Sequence, residues 1–101
     1  MMKFLVTWRA HSDKRVDLWK LWSSMTPAQR ADVGQDLVLI GRWHNPLDIS
    51  GAAVLEATDA AALHRYLTRW APLMDLDVVP VLDDEEGAVV AKQTLADLGL
   101  G

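Results

Sequence analysis

Arg42 and His44 are the residues of this chain whose types and spacing best suit chemistry. They follow an apolar run, residues 37–40, and precede a turn signal at residues 45–48, so we predict a strand that ends there. Side chains alternate between the two faces of a strand, so Arg42 and His44 share one face. Trp43 takes the other face, which we expect to pack beneath helices. A histidine exchanges protons near neutral pH, and an arginine holds a carboxylate, an enolate or another oxyanion.

Glu56, on the next predicted strand, is the third catalytic candidate. In the register that we expect for this hairpin, Glu56 shares the face of Arg42 and His44. It would orient His44, or act as a base if burial raises its pKa. Alternatively, Arg42 and Glu56 form only a cross-strand ion pair, and His44 lies at the wet end of the hairpin. A slip of one residue would reverse the whole face assignment.

We expect the same face to line an apolar pocket for a small molecule. Trp8 and Arg9 end the first predicted strand, and one of the two faces the pocket, with Thr7 accompanying Arg9. Five tryptophans in 101 residues either enlarge a small core or wall a ligand cavity or a dimer interface. The substrate-binding residues that we predict are Thr7, Trp8, Arg9, Val38, Ile40, Val54 and Trp70.

Composition bounds the classes of function. A chain of 101 residues, half of them hydrophobic, suits one folded domain over residues 1–101. A net charge of -4 with scattered basic residues disfavours nucleic-acid binding. The absence of cysteine excludes disulfides, thiolate catalysis and cysteine metal sites, and the three histidines lack metal-ligand spacing. No apolar stretch approaches the ~20 residues of a membrane span, so we expect a soluble cytoplasmic protein.

The hydrophobic pattern predicts strands at residues 3–9, 37–44, 49–57 and 76–82. A helix capped by Ser12 or Asp13 runs to about residue 31, with a break at Pro27. A second helix starts at Thr58 or Asp59 and ends by Pro72.

The acidic run at residues 83–86 opens a short C-terminal helix over residues 88–98. Pro80 places the last strand at an edge or a bulge. The order β-α-β-β-α-β is ferredoxin-like, with two helices covering one face of a four-stranded antiparallel sheet. A monomer would leave the other, apolar face open, so we predict a homodimer in which two sheets meet face to face.

Several motifs resemble a known family. They are residues 4–8 (FLVTW), residues 41–44 (GRWH), residues 79–86 (VPVLDDEE), and Glu56 followed by Thr58-Asp59 and a helix ending at Trp70. Together they make nearly the whole chain similar to the bacterial DUF3303 family. The resemblance implies a dimeric α/β barrel, the superfamily of antibiotic-biosynthesis monooxygenases, muconolactone isomerase-like proteins and haem-degrading monooxygenases. It implies no particular reaction, because the family has none established.

Our leading hypothesis is a cofactor-independent enzyme of the dimeric barrel class. It would be an isomerase or cyclase that moves a proton, or a cofactor-free monooxygenase, acting on a partly aromatic molecule between tryptophans. The alternatives are a non-catalytic ligand-binding or regulatory dimer and a purely structural homodimer without a cavity. Haem is a weaker alternative, because haem-degrading relatives bring Asn, Trp and His from different elements, whereas Trp43, His44 and Asn45 are consecutive.

Overall fold

The computed structural model describes residues 1–101 as an α+β fold. The four strands form one antiparallel sheet in the order β2-β3-β1-β4. This is the ferredoxin-like order, and it confirms the predicted fold class. Pro80 lies on an edge strand, as predicted. The elements are β1 (Met2–Ala10), α1 (Arg15–Ser24), α2 (Pro27–Ala31), β2 (Leu37–Asn45), β3 (Ser50–Ala57), α3 (Ala60–Leu67), β4 (Met74–Val81) and α4 (Asp84–Asp97).

The first helical segment is divided, as the sequence predicts. A capping box at Thr26, followed by Pro27 at the first helical position, starts α2 as a separate helix. The predicted cap of the first helix is wrong. Residues Ser12 and Asp13 belong to a short 3-10 turn, and the N-cap of α1 is Lys14, whose side chain makes no capping hydrogen bond.

Carboxylate caps start the other two helices. Asp59 accepts a hydrogen bond of 2.8 Å from the backbone N–H of Ala62, which confirms one of the two caps predicted for α3. The C-terminal helix begins at Asp84 rather than at residue 88. It starts earlier because Asp83 and Glu86 form a capping box that satisfies its first N–H groups.

The core lies between the helices and one face of the sheet. Alternate residues of β1 and β3 point into it, as expected for strands with one buried face. At about 1.5–3 kcal/mol for each fully buried large aliphatic or aromatic side chain, these contacts supply the main force that holds helices to sheet. The main cluster comprises Phe4, Val6, Val33, Leu37, Ala53, Leu55, Ala57, Ala62, Leu63 and Leu67.

The opposite face of the sheet and the last helix are uncovered. No residue of α4 is buried, and the molecule measures 56 Å along its longest axis. The Nζ atom of Lys3 on β1 lies 3.0 Å from Glu86 and 3.4 Å from Asp83, which ties the start of α4 to the sheet. On the open face, Val38 and Val79 expose about half of their surface.

Candidate functional site

A β-bulge in β2 decides where the candidate residues point. Leu39 pairs with Leu55 and Gly41 pairs with Val54, so Ile40 is an extra residue between the two pairs. An extra residue interrupts the alternation of faces, and every residue after it changes sides relative to a regular strand.

The predicted face of Arg42 and His44 is therefore wrong. The two side chains do share a face, but Arg42 pairs with buried Ala53, so this face is the one beneath the helices. Trp43 pairs with Ala52 on the open face and is 64% exposed, whereas the sequence predicted that it packs beneath the helices.

Arg42 and His44 line a cavity between the helices and the sheet. Its volume is about 640 Å³, within the usual range for small-molecule sites. Of its 20 lining residues, 15 are hydrophobic and none is acidic. The sequence predicted an apolar, tryptophan-lined pocket, but on the other side of the sheet. Four of the five tryptophans line it, namely Trp8, Trp19, Trp22 and Trp70.

Aromatic contacts hold His44 at the end of β2. Its ring centroid lies 5.7 Å from that of Trp8, with the planes at 64°. The ring centroid of Trp22, from α1, lies 5.0 Å from that of His44. Trp19, one helical turn before Trp22, donates a hydrogen bond of 2.8 Å from Nε1 to the carbonyl oxygen of Pro46, which fastens α1 to the hairpin turn. The helix and the hairpin therefore close this part of the cavity wall together.

Arg42 is half-buried beside the same tryptophan. Its Cζ atom lies 4.6 Å from the ring centroid of Trp22, a cation–π contact. Its Nη2 atom donates a hydrogen bond to the carbonyl oxygen of Arg30, a residue of the short helix α2. Burial lowers the pKa of Arg42, whereas the electrostatic attraction between its guanidinium and Tyr66 raises it. An arginine still keeps its charge at neutral pH, because its ordinary pKa lies so far above 7.

His44 has the character of a weak base that is neutral at neutral pH. Burial lowers its pKa, and the nearby charges of Arg42 and Arg30 lower it further. Neither ring nitrogen is hydrogen-bonded to another residue of the protein, so both are free to meet a bound molecule. A neutral imidazole can accept a proton from such a molecule, and the adjacent guanidinium can then stabilise the negative charge left behind.

Glu56 does not belong to this site, so its predicted grouping with Arg42 and His44 is wrong. It pairs with Lys3 and Val38 on the open face of the sheet. The bulge is the reason, because it moves Arg42 and His44 to the other face and leaves Glu56 where regular alternation puts it. No carboxylate therefore orients the His44 imidazole.

Most of the other predicted pocket residues also lie on the open side. Trp8, rather than Arg9, faces the cavity, and Trp70 reaches it from the turn after α3. Thr7 and Arg9 border a separate depression of about 560 Å³ at the end of the sheet, which also touches Trp8 and His44. The predicted pocket residues that line neither space are Val38, Ile40 and Val54.

Sequence reasoning missed three residues of the site, namely Trp22, Tyr66 and Arg30. The spacing of Trp19 and Trp22 was the available signal for the first, because residues three apart share a helix face. Nothing local marks Arg30, whose backbone carbonyl rather than its side chain meets Arg42. No three side chains of the types that bind metals come together anywhere in the chain.

Comparisons with known proteins identify a family and nothing finer. The family model described as "Domain of unknown function (DUF3303)" matches residues 2–95. Neither the curated proteins nor the solved structures contain a match. None of the helices combines the length and the apolar character that crossing a membrane requires.

Proposed function

The chain belongs to the DUF3303 family, and we propose that it is a cofactor-independent enzyme that moves a proton within a small, apolar, partly aromatic molecule. The observation that carries the proposal is the pairing of His44 with Arg42 on the wall of a tryptophan-rich cavity. The lowered pKa of His44 favours its neutral form, its imidazole makes no hydrogen bond to the protein, and the guanidinium is a fixed cation. A base beside an anion-stabilising donor is what proton abstraction next to a carbonyl group needs.

In the proposed reaction, a ring nitrogen of His44 removes a proton from the carbon beside a carbonyl group. The electrons of the broken C–H bond form the enolate double bond, and the charge moves to the oxygen, where Arg42 donates an N–H. The His44 imidazolium then returns the proton to another carbon, which gives an isomer. Attack of the enolate carbon on a second carbonyl group of the same molecule gives a ring instead, and the imidazolium proton then goes to the alkoxide oxygen that this attack creates. In a cofactor-free oxygenation, the same carbanion would donate electrons to O₂, a C–O bond would form to give a peroxide anion, and the imidazolium would protonate this anion to a hydroperoxide.

Proton exchange into a simple ketone tests this proposal without knowledge of the natural substrate. We expect the wild-type protein to catalyse deuterium incorporation into β-tetralone in D₂O, followed by proton NMR. His44→Gln should lower the exchange rate about 10²-fold or more, the usual contribution of general acid–base catalysis. His64→Gln, on the exposed surface of α3, is the matched control and should exchange at the wild-type rate. Equal rates in wild type and His44→Gln would contradict the proposal.

Non-catalytic binding is the second candidate, and one observation favours it. Glu56 lies on the other face of the sheet, so no carboxylate holds the His44 imidazole in one tautomer. A binding protein needs the cavity but no oriented base. Saturable binding of β-tetralone, seen as quenching of tryptophan fluorescence without any exchange, would favour this candidate over the enzyme.

We also propose that two copies of the chain pair through the open faces of their sheets. The open face presents apolar side chains among polar ones, since Val38, Trp43 and Val79 expose about half of their surface or more. At the usual strand spacing and rise, a sheet of this size covers roughly 19 by 27 Å. Protruding side chains make the accessible area of such a face larger than its flat area. This brings it toward the roughly 800 Å² that each partner buries in a stable interface. A second copy offers the identical face, so its apolar side chains can cover those of the first copy without any other partner.

A pair of lysine substitutions tests the dimer. Val38→Lys places a charge on the proposed interface and should give a monomer in light scattering coupled to size exclusion. Leu47→Lys is the control, because Leu47 is 81% exposed in the hairpin turn and should leave the dimer intact. A monomeric wild-type protein, or a Val38→Lys variant that stays dimeric, would refute the interface.

A further inference from the structure

The one charged side chain that lines the cavity, that of Arg42, is basic, in a chain that is acidic as a whole. The sequence has 14 acidic residues against 10 lysines and arginines. None of the acidic residues lines the cavity, whose charged or titratable members are Arg42, His44 and Tyr66. Arg30 lies close enough to lower the pKa of His44 through its charge. The cavity is therefore a site of positive potential inside an acidic protein, which attracts anions.

Arg42 has no counter-ion. No carboxylate lies within 4.0 Å of its guanidinium, whereas Arg9 and Arg65 on the surface each pair with an aspartate. One of its five N–H donors goes to the carbonyl oxygen of Arg30, and its Cζ atom lies over the ring of Trp22. Removing a cation from water without an opposite charge is costly, and a bound anion offsets that cost.

We propose that the ligand of this cavity is an aromatic molecule that carries a permanent anionic group, such as a carboxylate, which Arg42 binds. The inference rests on the proposed function in one respect, namely that a ligand occupies this cavity, and it is independent of catalysis. The planar guanidinium fork suits a carboxylate or a similar oxyanion group. The tryptophan walls suit a flat, apolar body. The donors of Arg42 that the anion does not use remain available to an enolate oxygen.

Two fluorescent probes with nearly the same skeleton test the charge. Anilinonaphthalene sulfonate carries an anionic group, and N-phenylnaphthylamine is its neutral counterpart. The measured quantity is the ratio of the neutral probe's Kd to the anionic probe's Kd. The two probes differ in hydrophobicity by the same amount in every variant, so this difference cancels when the ratios of two variants are compared. We expect Arg42→Met to lower the ratio about tenfold or more, the usual effect of losing a hydrogen bond to a charged group.

Three controls accompany the test. Arg42→Lys keeps the charge and should retain part of the wild-type ratio. Arg65→Met removes an exposed arginine that does not line the cavity and should leave the ratio unchanged. Trp43→Phe alters the open face of the sheet, so an unchanged ratio there shows that the probes do not report on that face.

Each outcome decides one claim. If neither probe binds, the proposed function fails together with the inference. If both bind and Arg42→Met leaves the ratio unchanged, the anion inference is overturned while the ligand cavity stands. If Arg42→Met loses the wild-type circular dichroism spectrum, the wild-type ratio measured between ~0.05 and ~0.5 M NaCl decides instead. A ratio that falls with salt supports the anion, and a constant ratio overturns it.

Discussion

Gly51 is the position where a single methyl group should damage the candidate site. It pairs with Trp8 on β1 and with His44 on β2, so it lies directly beneath the contact between their rings. A Cβ atom there would come within 3.0 Å of the Trp8 ring and of the backbone carbonyl oxygen of Trp43. Real Cβ atoms do not approach so closely, so Gly51→Ala must displace the ring and the strand.

The size of the effect follows from two opposing contributions. Overpacking of this kind costs about 1–3 kcal/mol. Replacing glycine by alanine restricts the unfolded chain, which gives back about 0.4–1 kcal/mol. We therefore expect Gly51→Ala to lower the free energy of unfolding by about 1–2 kcal/mol, or the Tm by ~4–16 °C for a domain of this size. Because Trp8 and His44 both line the cavity, binding of N-phenylnaphthylamine should weaken as well.

Gly41→Ala is the matched control. Its Cβ atom would lie 2.5 Å from Cη2 of Trp43, but this is the far end of an exposed side chain that can rotate away. We expect a change within about 0.5 kcal/mol, as for other surface substitutions. Both variants are made in the Val38→Lys background, so that the proposed dimer does not restrain Trp43, and they are compared by urea unfolding. If Gly51→Ala is as stable as its parent, or Gly41→Ala loses as much, the close packing at Gly51 is refuted.

Three further predictions concern stability. Burial and the charge of Arg42 lower the folded-state pKa of His44, so the stability linked to this group is present above pH ~6.5. This stability is lost as the pH falls through that value toward the folded-state pKa. Urea unfolding at several pH values should show that His44→Gln loses less stability in acid than the wild type, and an identical loss would contradict the pKa shift. Asp59→Ala removes the cap of α3 and should cost about 1 kcal/mol, whereas an unchanged urea midpoint would show that the cap contributes nothing. Deleting residues 84–101 from the Val38→Lys monomer should change its free energy of unfolding by less than about 0.5 kcal/mol, because α4 buries no residue, and a larger loss would show that α4 packs on the fold.

Much of the fold could be predicted because its signals are local. Alternation of apolar residues marks the strands, and a carboxylate such as Asp59 marks a helix start wherever it precedes an apolar run. The hairpin could be predicted for the same reason, since its turn joins two neighbouring strands. The starts of α1 and α4 were less predictable, because several polar residues compete for each cap and local geometry chooses among them.

The partners of the site could not be predicted in the same way. Trp22, Tyr66 and the carbonyl group of Arg30 reach Arg42 and His44 from three helices, and their positions depend on how these helices pack on the sheet. Helix packing joins residues that are distant in the chain, so no spacing rule reports it.

Local geometry alone places Arg42 and His44 on one face, since they are two residues apart on a continuous strand and the bulge precedes both. Which face this is depends on the pairing of β2 with β3. Gly41 hints at a bulge, because glycine inside a strand often marks one, but the extra residue is defined only against Val54 across the sheet. That one residue turns Arg42 and His44 from the open face toward the cavity and separates them from Glu56. The reason is that side chains alternate between the faces with a period of two, so a single inserted residue moves every later side chain of the strand to the opposite face.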